Sequence, residues 1–107
     1  MVRKREATDY VKRLVDFDLV PILVDVRTYE EFVAGHIETA HHYPLATLEQ
    51  VEDHLPPDSE IVLVSNEEKR ATEAAHYLWE LGFLEVYVLA GGMKAWPGQI
   101  VQGDLRW

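Results

Sequence analysis

A chain of 107 residues, 48% hydrophobic and 27% charged, is long enough to bury one core without crosslinks, which excludes wholesale disorder and argues for a single domain. It has no cysteine, so disulfides, thiolate catalysis and persulfide chemistry on its own side chains are excluded. The net charge of −9 is uneven: residues 1–13 carry five basic and two acidic side chains, the remainder five basic and 17 acidic, a balance that repels nucleic acid and anionic membrane.

In chain order, Val2 to Glu6 suits a short edge strand whose Arg3, Lys4 and Arg5 are solvated. Thr8 then caps a helix with Val11, Leu14 and Val15 at helical spacing. Ile22 to Val26, a continuous apolar run broken only by Asp25, predicts a strand buried on both faces of a parallel sheet. Thr28 with Glu31 three residues on forms a capping box that opens a short helix ending at Gly35. A strand over Ala40 to Tyr43 stops at Pro44, and Leu45, Leu48 and Val51 predict a short helix before the turn at Pro56, Pro57 and Asp58.

Strand Ile61 to Val64 follows, then a polar loop of Ser65, Asn66, Glu67, Glu68, Lys69 and Arg70. The next helix buries Ala71, Ala74, Ala75, Leu78 and Leu81 and stops at Gly82. Val86 to Leu89 is the last strand; Gly91 and Gly92 turn the chain into a short helix with Met93 and Trp96, ended by Pro97. Alternating strands and helices predict one α/β domain over residues 1–107, with a mostly parallel five-stranded sheet, helices on both faces and a tail over 97–107. No apolar run approaches the roughly 20 residues that span a bilayer, and no apolar segment follows Met1, so the expected location is cytoplasmic.

Ligands of such sheets sit beyond the carboxyl ends of the strands, where Ser65 stands. Backbone N–H groups of a strand-to-helix loop can hold an anion or an activated nucleophile there. Four motifs in order resemble the rhodanese family: Leu23-Val24-Asp25-Val26-Arg27; Glu30-Glu31-Phe32 with Gly35-His36-Ile37; the strand leading to position 65; and Gly91-Gly92-Met93-Lys94-Ala95-Trp96. They span residues 22–96. The resemblance implies a rhodanese-like fold, in which active members pass a sulfane sulfur from thiosulfate or a protein persulfide to an acceptor. It also implies that a cysteine would stand at position 65, beginning a six-residue loop that ends in arginine, here Arg70. Related phosphatases use a loop one residue longer. Asp25, Arg27 and His36 fall on motifs that brace the loops around the site.

A serine hydroxyl needs an adjacent general base to act as a nucleophile, and oxygen cannot carry a persulfide, so sulfur transfer through Ser65 is not expected. Glu67 and Glu68 either oppose anion capture or point to solvent and complement the helix dipole. Arg70 either binds a carboxylate or sulfate or makes a surface salt bridge. Ser65, His36 and Asp25 invite a hydrolase triad, but the glycine pattern of a nucleophile elbow is missing. His36, His41 and His42 do not promise a metal site, because adjacent strand residues face opposite sides, and His54 and His76 fall on polar surfaces. Trp79 and Trp96 read as core anchors, whereas Leu105, Arg106 and Trp107 could pack back or support a homodimer.

The expectation is therefore an inactive rhodanese-like module that binds an unidentified protein or small molecule, with a basic segment preferred. No cofactor, metal, nucleic acid or membrane is expected. The alternative is a thiosulfate or persulfide sulfurtransferase in which Ser65 is an engineered replacement of the catalytic cysteine. A third possibility is a regulatory subunit that works through Trp107 and the basic N-terminus.

Overall fold

The computed structural model describes residues 3–6 and 21–103. Strands β1 (Arg3–Arg5), β2 (Ile22–Asp25), β4 (His41–His42), β5 (Ile61–Val64) and β6 (Val86–Leu89) form one sheet in the order β1-β6-β5-β2-β4, every neighbouring pair parallel. The apolar runs are continuous because both faces of the central strands are covered. Along β5, Ile61 and Leu63 enter one core cluster while Val62 and Val64 enter the other. The same alternation sends Val86 and Val88 one way and Tyr87 and Leu89 the other, as the two-residue period of a strand requires.

Three α-helices are described: α1 (Tyr29–Ala34), α2 (Gln50–His54) and α3 (Glu68–Glu80). Ala71, Ala74, Ala75 and Leu78 form the buried stripe of α3, and their small side chains bring it close to β5 and β6. After α3, Phe83 N–H bonds the Leu78 carbonyl and Gly82 N–H bonds that of Trp79, at 3.1 and 3.0 Å, with Gly82 at φ 104°. This is a Schellman closure, and Phe83 and Leu78 meet in the same core cluster. The second sheet face packs against Ile37, Ala40, Met93 and Trp96.

Several expectations change in detail. The strand over Ala40 to Tyr43 shrinks to His41–His42, and the helix through Leu45, Leu48 and Val51 divides into a 3₁₀ turn, Leu45–Thr47, and α2. The cause is local: Tyr43 and Leu45 N–H groups bond the Asp25 and Val26 carbonyls at 3.0 and 3.1 Å, pinning the chain across the end of β2. Trp79 is no core anchor. It lies one position off the buried stripe and is 46% exposed, whereas Trp96 packs against the second cluster. Residues 100–101, expected within a tail, pair as β7 (Ile100–Val101) antiparallel to β3 (His36–Ile37). The expected helix from Thr8 and the contact of Trp107 lie outside the described residues. Among those residues no helix is long and apolar enough to cross a membrane.

Gly91 and Gly92 join the end of β6 to a 3₁₀ helix (Gly92–Ala95) with φ of 75° and 64°. A Cβ at Gly92 would lie 2.5 Å from the carbonyl oxygens of both Ser65 and Asn66, so this glycine lets one loop rest on the other. Gly92→Ala is expected to cost about 2–4 kcal/mol in chemical denaturation, because backbone must move. Gly103→Ala, also at positive φ but with open space around it, should cost about 1 kcal/mol.

Candidate functional site

Among the described residues, the buried polar and charged side chains are Asp25, Arg27, His36 and Ser65, all of them singled out by sequence. Burial of such groups requires partners, and each has them. Asp25 ends β2, and its carboxylate takes Arg27 Nε at 3.0 Å, Arg27 Nη2 at 2.8 Å and the Arg27 backbone N–H at 3.0 Å. The guanidinium also donates to the Gly35 carbonyl at 2.7 Å and to Asn66 Oδ1 at 3.0 Å. Asp25 and Arg27 thus brace α1 and the loop at once.

Accepting from Arg27 turns the Asn66 amide so that its Nδ2 donates to Glu31 Oε2 at 2.6 Å. Arg70 grips the same carboxylate with two bonds, Nη1 to Oε1 at 2.7 Å and Nη2 to Oε2 at 2.9 Å. Thr28 N–H donates to Oε1 at 3.0 Å and its hydroxyl accepts from Glu31 N–H, which completes the capping box of α1. The Arg70 guanidinium, with help from Thr28, holds the Glu31 carboxyl down at about 2. Of the two roles open to Arg70, the structure shows the salt bridge.

Ser65 follows β5 and is fully buried. Its hydroxyl donates to the Glu67 carbonyl and accepts the Ala71 N–H at 3.2 Å, while its own carbonyl accepts the Met93 N–H at 2.9 Å. Above it lies a cavity of about 520 Å³ lined by Asn66, Glu67, Lys69, Arg70, Met93 and Lys94. Ser65 does not line this cavity. Its hydroxyl closes the loop from beneath, and the amide shown to reach it is that of Ala71, just past the loop.

Of the two readings of Glu67 and Glu68, neither includes the lysines that meet them. Glu67 lies 3.1 Å from Lys94 Nζ, both exposed, and Glu68 lies 2.8 Å from Lys4 Nζ while also accepting the Gly91 N–H at 2.7 Å. Lys4, with the Gly91 N–H, holds the Glu68 carboxyl below its ordinary value, and Glu68 in turn raises that of Lys4. Each glutamate thus has an ammonium beside it, so the repulsion of an anion is weaker than the bare sequence suggests.

No hydrolase triad is assembled, since Asp25 is held by Arg27 and His36 Nδ1 donates to the Phe32 carbonyl at 2.8 Å. Phe32 is sandwiched between the His36 and His42 rings, with centroids 3.7 and 4.3 Å away and planes within 16°. His41 and His42 belong to a strand of only two residues, and, contrary to expectation, both line one cleft of about 370 Å³ together with His36 and His54. His54, read as uninformative, bonds the Tyr43 hydroxyl at 2.9 Å. Among the described residues no group of three His, Cys, Asp or Glu side chains could hold a metal ion.

Sequence reasoning missed Glu31 as the carboxylate that joins Asn66 and Arg70. The signal was present, because the capping box had already fixed where that side chain must lie.

This loop, set at the carboxyl end of a central parallel strand and braced by an Asp–Arg pair, defines a rhodanese-type site. The family model described as Rhodanese-like domain matches residues 7–99, and the chain belongs to that family. It is 38% identical over 78 residues to the uncharacterized protein YqhL of Bacillus subtilis, covering 73% of this chain and 62% of that one. The chain therefore spans about three-fifths of YqhL. It is 31% identical over 87 residues to the thiosulfate sulfurtransferase GlpE of Ectopseudomonas mendocina, covering 78% and 80%. A solved thiosulfate sulfurtransferase from Pseudomonas aeruginosa matches with a TM-score of 0.87 at 28% identity, over 94% of this chain and 20% of that one.

Glu31 yields a prediction with a definite sign. Its folded value of about 2 lies below the ordinary 4.5, so the contact stabilises the fold above about pH 4.5 and that contribution is lost as pH falls toward 2. Glu31→Gln is expected to lower stability at neutral pH by about 1–3 kcal/mol and to flatten the acid limb of the stability profile, as read by urea denaturation.

Proposed function

We propose that this chain is a rhodanese-like binding or regulatory module that does not carry sulfur through position 65. The observation that supports this most is the Ser65 hydroxyl, buried and engaged by the Glu67 carbonyl and the Ala71 N–H rather than offered to the cavity. A thiol there would be partly ionised and strongly nucleophilic at neutral pH, whereas this hydroxyl has no general base beside it. GlpE is named a thiosulfate sulfurtransferase, and the fold is shared. The transferable activity, however, depends on an atom that this chain lacks.

The cavity above the loop suits a ligand or peptide with groups of both signs. Lys69 and Lys94 lie beside Glu67 on its rim, and the Arg70 guanidinium is taken by Glu31. The acidic body of the chain favours a partner that brings net positive charge.

A second reading, a sulfurtransferase whose cysteine has been exchanged for Ser65, is favoured by the intact six-residue spacing from Ser65 to Arg70 and by the braced Asp25–Arg27 pair. One assay separates the two. The chain as it stands is expected to form no thiocyanate from thiosulfate and cyanide above the uncatalysed background, and turnover at enzyme rates would refute the first reading. Ser65→Cys then reports on the loop: thiocyanate formation at ordinary enzyme rates supports the second reading, and an inert variant supports the first.

A further inference from the structure

The cleft lined by His36, His42 and His54 lies apart from the loop at position 65, and its chemistry is specific. Both stacked imidazoles bond backbone carbonyls: His36 Nδ1 to that of Phe32 and His42 Nε2 to that of Arg27, each at 2.8 Å. A carbonyl can only accept, so these nitrogens carry the protons, and each neutral ring keeps its lone pair on the other nitrogen. His36, although almost wholly buried, is among the residues that line the cleft.

Among the described residues, the wall around these acceptors carries one full charge, the carboxylate of Glu38, and no lysine or arginine. The Tyr43 ring and the Gln50 amide complete the mouth. An anion would meet lone pairs and a like charge. A metal ion would lack ligands, because no three His, Cys, Asp or Glu donors converge among the described residues. A cation rich in N–H donors and carried on an apolar stem matches every element of the wall, and the acidic body of the protein attracts it. The volume of about 370 Å³ sits at the lower end of the roughly 300–1,000 Å³ of small-molecule sites, enough for one side chain or one short amine.

We propose that this histidine cleft is a binding site for an alkylammonium or alkylguanidinium group, supplied either by a free polyamine or by a lysine or arginine side chain of a partner. The proposal does not depend on the fate of Ser65.

The test is NMR observation of the histidine rings in the full chain at about pH 8. The probes are spermidine and acetyl-Gly-Arg-Gly-amide, with sodium sulfate as the anionic control. Either cation should shift the His36, His41, His42 and His54 signals saturably. Tighter binding of spermidine assigns the site to free amines, and tighter binding of the peptide assigns it to a partner's side chain. Glu38→Lys or Gln50→Lys, both at exposed positions, should weaken the binding at least tenfold by placing a resident ammonium at the mouth. The proposal is overturned if neither cation shifts these signals, if sulfate shifts them equally, or if the shifts spread over the whole acidic surface and survive both substitutions.

Discussion

One carboxylate sets the shape of the loop. Glu31 takes Arg70 at its end and Asn66 near its start, while Thr28 fixes the carboxylate from below through the capping box. The helix start and the loop geometry are therefore one construction, and neither can shift without losing charge-assisted bonds. Arg27 and Asp25 continue it into the core, tying the same asparagine to the end of β2 and to Gly35. Gly92 closes the far side by bringing its own backbone against the carbonyls of Ser65 and Asn66.

The chemical consequence is a cradle whose polar groups are satisfied from within. The guanidinium that could meet an anion already holds a carboxylate, the two glutamates of the loop each hold a lysine, and the Ser65 hydroxyl spans its own loop. A pocket in that condition rewards a ligand that exchanges contacts with its rim rather than one that needs a reactive centre. The rhodanese-like fold is preserved, and the fold presents its cavity whatever chemistry stands at position 65.

Much of this is legible in the sequence. The continuous apolar run from Ile22 to Val26 announces a strand covered on both faces, Ile61 to Val64 and Val86 to Leu89 announce two more strands, and the stripe from Ala71 to Leu81 announces the long helix between them. Asp25, Arg27, His36 and Ser65 stood out by their motifs and are the buried polar residues of the described fold. Contacts between segments remote in sequence were not legible. Glu31 and Arg70 lie 39 positions apart, and Lys94 and Glu67 lie 27 apart, so no local spacing could pair them. Trp79, expected as a core anchor, lies at the surface because a single helical step turns it off the stripe that holds Leu78. The histidine cleft escaped because a two-residue strand does not impose the strict alternation of a longer one.

The account stands on a loop closed upon itself through the Ser65 oxygen, and urea denaturation of Ser65→Ala beside the chain as it stands, each with and without thiosulfate, tests that closure directly. It predicts a loss of about 1–3 kcal/mol on substitution, because the buried end of the loop loses its hydrogen-bonded oxygen, and no stabilisation of either protein by thiosulfate. A Ser65→Ala protein as stable as the chain as it stands, or a saturable stabilisation of that chain by thiosulfate, would contradict it.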